Sequence, residues 1–149
     1  MPAMEMFGFE VAETAQAMRR AFDRRASVLG VTRAQWRVLV RLSLKGGVRQ
    51  VELADALDIE PITLCRMIDR LEEGGLVERR RDEVDRRAWN IHLTEKARPL
   101  IADLRALGEA LHGDALAGIS EADQKIARDV LARVRANLAR SGTAARKAS

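Results

Sequence analysis

The sequence predicts a mainly α fold with one small β-hairpin, and three observations carry that prediction. Aromatic residues make up 3% of the 149-residue chain and Tyr is absent, so Leu, Ala, Val and Ile must fill the interior, a palette suited to helices rather than to large sheets. Apolar residues recur at helical spacings over most of the chain. Only between Leu76 and Leu93 does the pattern become strand-like. The 47% hydrophobic and 32% charged content is that of a globular chain. A domain of this length buries roughly 70% of its unfolded surface, enough for one core.

Each element is then marked by its own signals. Val11, Ala15, Met18, Phe22 and Leu29 form one stripe of a first helix, which Gly30 ends. Thr32 with Gln35 reads as a capping box opening a second helix through Trp36, Leu39, Val40 and Leu44, with Gly46-Gly47 as its stop. Two short helices follow, Gln50 to Leu57 and Pro61 to Glu73, the latter opened by Pro61 and closed by Gly74-Gly75. Leu76 to Arg80 and Ala88 to Leu93 read as strands joined by the polar loop Arg81 to Arg87. Thr94 is expected to cap a long helix carrying Ala97, Leu100, Ile101, Leu104, Leu107 and Leu111, broken at Gly118. Ser120 caps the last helix, with Ile126, Val130, Leu131, Val134 and Leu138 on one face, and 141–149 is expected to be a disordered tail.

The segment Gln50 to Arg70 carries the functional signal. Leu53, Leu57, Ile59, Leu64 and Met67 lie where two short helices must be held together at a steep angle, and Ala54 permits their close approach. Asp58 occupies the turn position often given to Gly, and Asp tolerates left-handed backbone better than most residues. At 100° per residue, Leu64, Met67, Ile68 and Leu71 share one side of the second helix, while Thr63, Arg66 and Arg70 share another. This is a helix-turn-helix whose second helix presents Arg, able to take a guanine edge bidentately, and Thr, able to meet a base or phosphate. The same spacing also suits ion pairs from Arg66 and Arg70 to Asp69 and Glu73 on a solvated face. The hairpin favours the nucleic-acid reading, because Arg79, Arg80, Arg81, Arg86 and Arg87 cluster around one loop directly after that helix. Such a wing can place Arg86 or Arg87 in a minor groove, with Asp85 orienting a neighbouring arginine.

Leu53-Ala54, the run Pro61 to Gly75, and Asp85-Arg86-Arg87 leading to Leu93-Thr94-Glu95-Lys96 together resemble the multiple-antibiotic-resistance regulator (MarR) family. Thr32 to Arg37 further resembles its SlyA-like branch, and the similarity covers nearly the whole chain. The resemblance implies a single MarR-type domain over 1–149, with a winged helix-turn-helix lobe at 32–93 and a helical dimerisation region at 7–31 and 94–140. It implies a homodimer that binds an inverted-repeat operator in double-stranded DNA and regulates transcription, in the usual case as a repressor. The DNA-binding residues carried over are Pro61, Thr63, Arg66, Arg70, Asp85, Arg86 and Arg87. Family members commonly respond to phenolic or aromatic carboxylate effectors, for which Met18, Phe22, Arg25 and Trp36 are the candidate residues, though the first, second and last of these also suit plain core. The apolar stripes of the terminal helices agree with a dimer, with an intramolecular bundle as the alternative.

Other functions find less support. No nucleophile–base pair, metal cluster or phosphate-binding loop appears, so no enzyme, cofactor or metal is expected. His92 and His112 lie far apart and lack companion ligands. Cys65 is the single cysteine, which excludes an intrachain disulfide; the family's thiol sensors carry theirs near the amino terminus, so Cys65 is expected to pack. A protein-interaction module would not need a basic hairpin beside Thr63, Arg66 and Arg70. The net charge of +4 and pI near 10.0 fit a polyanion partner. Met1 to Phe9 has no positive leader-like run and no apolar stretch reaches membrane length, so a cytoplasmic location is expected.

Overall fold

The computed structural model describes residues 3–147. Helix α1 (Ala3–Ala26) continues into a 3-10 turn (Ser27–Leu29) and is followed by α2 (Arg33–Leu44), strand β1 (Val48–Arg49), α3 (Gln50–Leu57) and α4 (Pro61–Glu73). Strands β2 (Val77–Arg81) and β3 (Trp89–Leu93), a second 3-10 turn (Glu95–Ala97), α5 (Arg98–Ala115) and α6 (Glu121–Lys147) complete the order. The chain divides into two compact units, one ending at Leu111 and one beginning at His112.

The first unit is built on local chemistry that the sequence announces. Thr32 accepts from the Gln35 amide at 3.3 Å while the Gln35 side chain accepts from the Thr32 amide at 3.0 Å, closing the capping box at the start of α2. Asp58 ends α3 in the left-handed region, at φ 52°. The Leu57 carbonyl beside it accepts from Arg37 of α2 at 2.7 Å, which ties the two helices together. Helix α4 stops where Gly75, at φ 74°, lets its amide reach the Glu72 carbonyl and the Leu76 amide reach the Leu71 carbonyl. These closures hold a core of Leu39, Leu42, Leu53, Leu64, Ile68, Leu71, Val77, Ile91 and Leu104, all of them buried.

Four expectations need correction. The sheet has three antiparallel strands in the order β1-β3-β2, with Val48 opposite Ile91 on one side of β3 and Val77 opposite Leu93 on the other. The two-residue edge strand β1 was not anticipated, because it exists only through its pairing with β3. Thr94 does not cap α5; its hydroxyl donates to the Gly75 carbonyl at 2.5 Å, and the Glu95–Ala97 turn intervenes before the helix starts. The first helix begins at Ala3 and hands over to a tighter turn after Ala26, so its regular part ends before Leu29. The expected disordered tail is helical from Ser141 to Lys147, as a continuation of α6, while Ala148 and Ser149 lie outside the described residues.

In the second unit, Ser120 accepts from the Asp123 amide at 3.2 Å and opens α6 as predicted. The apolar face of α6 is exposed: Ile126, Val130, Leu131 and Leu138 all present side chains to solvent. The amino-terminal half of α1 does the same with Met6, Phe7, Phe9 and Val11, and only from Ala21 and Phe22 onward does its stripe join the core.

Candidate nucleic-acid interface

Helix α4 separates its two faces cleanly. Leu64, Ile68 and Leu71 are buried and Met67 is partly buried against the same core, while Pro61, Thr63, Arg66 and Arg70 are exposed. Neither Arg66 nor Arg70 has a side-chain hydrogen bond or ion pair among the described residues, so the alternative in which they pair with Asp69 and Glu73 is not the one adopted. Asp69 is instead taken by Arg79 of β2, at 2.6 Å.

Arg79 is a hub rather than a free wing charge. Its guanidinium also meets Glu72 at 3.1 Å, the Gln50 side-chain carbonyl at 3.3 Å and the Cys65 backbone carbonyl at 3.2 Å, and its backbone amide donates to Glu72 at 3.1 Å. Burial pushes the guanidinium down and the Asp69 and Glu72 carboxylates push it up; the carboxylates prevail, so it is held firmly charged. The other two arginines of β2 are engaged as well. Arg80 pairs with Glu78, and Arg81 lies over the Trp89 ring at 4.6 Å while donating to the Arg86 carbonyl at 2.7 Å. Of the five arginines expected to serve the wing, only Arg86 and Arg87 have unpartnered side chains among the described residues.

The wing loop is shaped by its acids. Asp82 accepts from the amides of Val84 and Asp85 at 2.9 and 3.0 Å, and from Arg49 and Asn90 at 3.3 Å each. The Asp85 and Val84 amides hold its carboxyl at a pKa of about 2. Asp85 in turn accepts from the backbone amide of Arg87 at 3.1 Å. It thus orients the neighbouring Arg87 through the loop backbone, and among the described residues it bonds no arginine side chain. Asp85, Arg87 and Trp89 line an open groove of about 460 Å³ together with Arg49, Gln50 and Val51 at the start of α3.

Sequence reasoning missed two residues here. Arg79 reads as a wing arginine in the sequence, since nothing local reveals that this strand residue reaches back to α4. Ile62, next to Thr63 and one turn before Arg66, is 67% exposed. Its signal was present, an apolar residue outside the buried stripe of an amphipathic helix.

The candidate effector residues are placed differently. Phe22 and Trp36 pack on each other, ring centroids 4.5 Å apart, and the Trp36 indole N–H donates to Asp23 at 2.7 Å. The Arg33 guanidinium, with that indole, keeps the Asp23 carboxyl below its ordinary range. Phe22 belongs to the core cluster and Trp36 packs against it, whereas Met18 is exposed and Arg25 partly buried. His92 lies partly buried on β3, and burial lowers its pKa. Among the described residues no cluster of His, Cys, Asp or Glu is arranged for a metal ion, and no helix is long and apolar enough to cross a membrane.

Comparison with known proteins converges on one family. The sequence model of the MarR family matches residues 31–89, from the turn before α2 to the start of β3. The crystal structure of the transcriptional regulator PA3341 shares 43% identity at a TM-score of 0.84, the match covering 90% of this chain and 98% of that one. The transcriptional regulator SlyA shares 27% identity at a TM-score of 0.77, over 91% of this chain and 95% of that one. A MarR family regulator from Listeria monocytogenes, solved in complex with 26mer DNA, shares 26% identity at a TM-score of 0.78, over 89% of this chain and 88% of that one. With the helix pair, the three-stranded wing and the whole-length similarity to PA3341 in agreement, the chain belongs to the MarR family of winged helix-turn-helix transcriptional regulators.

Proposed function

We propose that this regulator binds an inverted-repeat operator in duplex DNA as a homodimer and represses transcription by occupying a promoter. The observation that carries the proposal is the unpartnered state of Arg66 and Arg70 on the exposed face of α4, beside a wing tip that offers Arg86 and Arg87. In this reading α4 enters the major groove. Arg66 takes a guanine edge, Thr63 and Arg70 meet bases or phosphates, and Ile62 supplies an apolar contact for a thymine methyl. Pro61 starts the helix at the groove, and Asp85 keeps the loop in shape while Arg86 and Arg87 reach the minor groove.

The dimer follows from the exposed apolar faces of α1 and α6, and its twofold axis is what makes the operator an inverted repeat, with half-sites centred about one helical turn, ~34 Å, apart or a multiple of that. Control by a small phenolic or aromatic carboxylate acting near Met18, Phe22, Arg25 and Trp36, through the spacing of the two recognition helices, belongs to the same reading; Met18 is the exposed member of that set.

Fluorescence anisotropy with the DNA flanking the regulator's own gene, against scrambled duplex at several salt concentrations, tests the proposal. Tight, sequence-preferring binding that weakens steeply with salt is expected. Equal and weak binding to both duplexes at that locus, together with no enrichment of any sequence from a random pool, would refute it.

A further inference from the structure

We propose that Arg79 is a positioning residue for DNA reading: by holding Asp69, it keeps the Arg66 side chain unpaired and available to a base edge. This rests on the DNA-binding reading above. Asp69 is the acid nearest to Arg66 along α4, three residues on, a spacing that brings their Cβ atoms to about 5–6 Å. Nothing in the helix itself prevents the two from pairing. What prevents it is a competitor with better geometry. The Arg79 side chain is 15% exposed and anchored from two helices at once, by Gln50 of α3 and by Cys65, Asp69 and Glu72 of α4. A guanidinium fixed in that way presents its donors without the loss of side-chain freedom that a solvent-exposed arginine must bear. Asp69, 53% exposed, is drawn toward β2, and Arg66 is left with no partner.

The same contacts give Arg79 a second effect in the same direction. Because its bonds join α3, α4 and β2, the exposed face of α4 is held at a fixed attitude to the wing that continues from β2. Arg79 itself therefore contributes to recognition without touching DNA. Its charge is balanced inside the lobe.

The test uses the full-length chain and a duplex enriched by the unaltered protein from a random-sequence pool, and it reads the ratio of affinities for that duplex and a scrambled one. Arg79→Met is expected to lower the ratio about 2- to 30-fold, the range set by an exposed ion pair forming at both half-sites of a dimer. Adding Asp69→Asn to Arg79→Met is expected to recover most of the ratio. Adding Glu72→Gln instead makes the same change in net charge, but Glu72 lies six residues from Arg66, off its face, and no recovery is expected. Arg79→Lys, which keeps the charge and loses the fork, is expected to show a smaller loss with the same pattern of recovery, and it serves if Arg79→Met does not fold. An unchanged ratio in the Arg79 variants, equal recovery from both acid substitutions, or none from Asp69→Asn would overturn the inference while leaving the DNA reading intact. Failure of the unaltered protein to enrich any duplex would overturn both.

Discussion

In α4 the apolar residues Leu64, Ile68 and Leu71 are 0–1% exposed, whereas in α6 Leu131 and Leu138, one heptad apart, are 39% and 66% exposed. Both helices carry an apolar stripe opposite a charged face, so amphipathicity alone does not say what a helix is for. In α4 the stripe is satisfied inside its own lobe, and its burial fixes the helix so that Thr63, Arg66 and Arg70 can be offered to a partner. In α6 the stripe itself is what is offered. The first arrangement suits a rigid reading head for a polyanion, and the second suits a surface that a second copy of the chain would cover.

Disrupting the α6 side should have the largest effect. Leu131→Asp combined with Leu138→Asp removes four apolar side chains per dimer, each worth roughly 1.5–3 kcal/mol on full burial. Analytical ultracentrifugation is expected to find a dimer for the unaltered chain and a monomer for the variant; persistence of the dimer in the variant would locate the interface elsewhere. Disrupting the α4 side should act within one lobe. Ile68→Ala opens a cavity in the core and is expected to lower stability by about 2–5 kcal/mol in urea denaturation. A loss below about 1 kcal/mol would mean that the stripe is not what fixes the helix.

A smaller effect is expected at the turn between α2 and β1. Gly47 sits at φ 67°, and a Cβ there would lie 2.9 Å from the His92 ring, so Gly47→Ala should cost about 1–2 kcal/mol from backbone strain, as read by thermal melting. The smallest effect sharpens the view of the wing as a pre-shaped loop. The Asp82 pKa of about 2 in the fold lies below its ordinary 3.8, so the carboxylate's contribution is fully present above about pH 4 and is lost as pH falls toward 2. Amide chemical shifts of Val84 and Asp85 should titrate with a midpoint near the lower value; a midpoint at the ordinary value would show that the loop is not held by Asp82.

The parts of this fold that were legible in the sequence are those governed by neighbours in the chain. Thr32 with Gln35, Asp58 at the turn, Pro61 and Gly75 at the ends of α4, and Ser120 before α6 each act within a few residues, and each marks the helix end expected of it. Strand β1 escaped because two residues carry no periodicity and become a strand only when Ile91 and Asn90 pair with them. Thr94 was misread because its hydroxyl has a better acceptor 19 residues away than the helix it precedes. At the interface, the face bearing Arg66 and Arg70 followed from the 100° period, but their freedom did not. For Arg66 it rests on Arg79 claiming Asp69 across the sheet–helix contact, a competition between side chains that no local pattern records.

On the proposed DNA-binding reading, this free arginine face reads sequence while the wing mainly binds charge. Affinities of the unaltered chain, Arg66→Ala and Arg87→Ala for an enriched and a scrambled duplex, measured over a salt series, test it most directly. Arg66→Ala should lose about 1–3 kcal/mol per half-site on the enriched duplex and much of the preference, while Arg87→Ala should weaken both duplexes alike and reduce the salt dependence by about two ions per dimer. Preference untouched by Arg66→Ala, with both duplexes bound as before, would contradict the account.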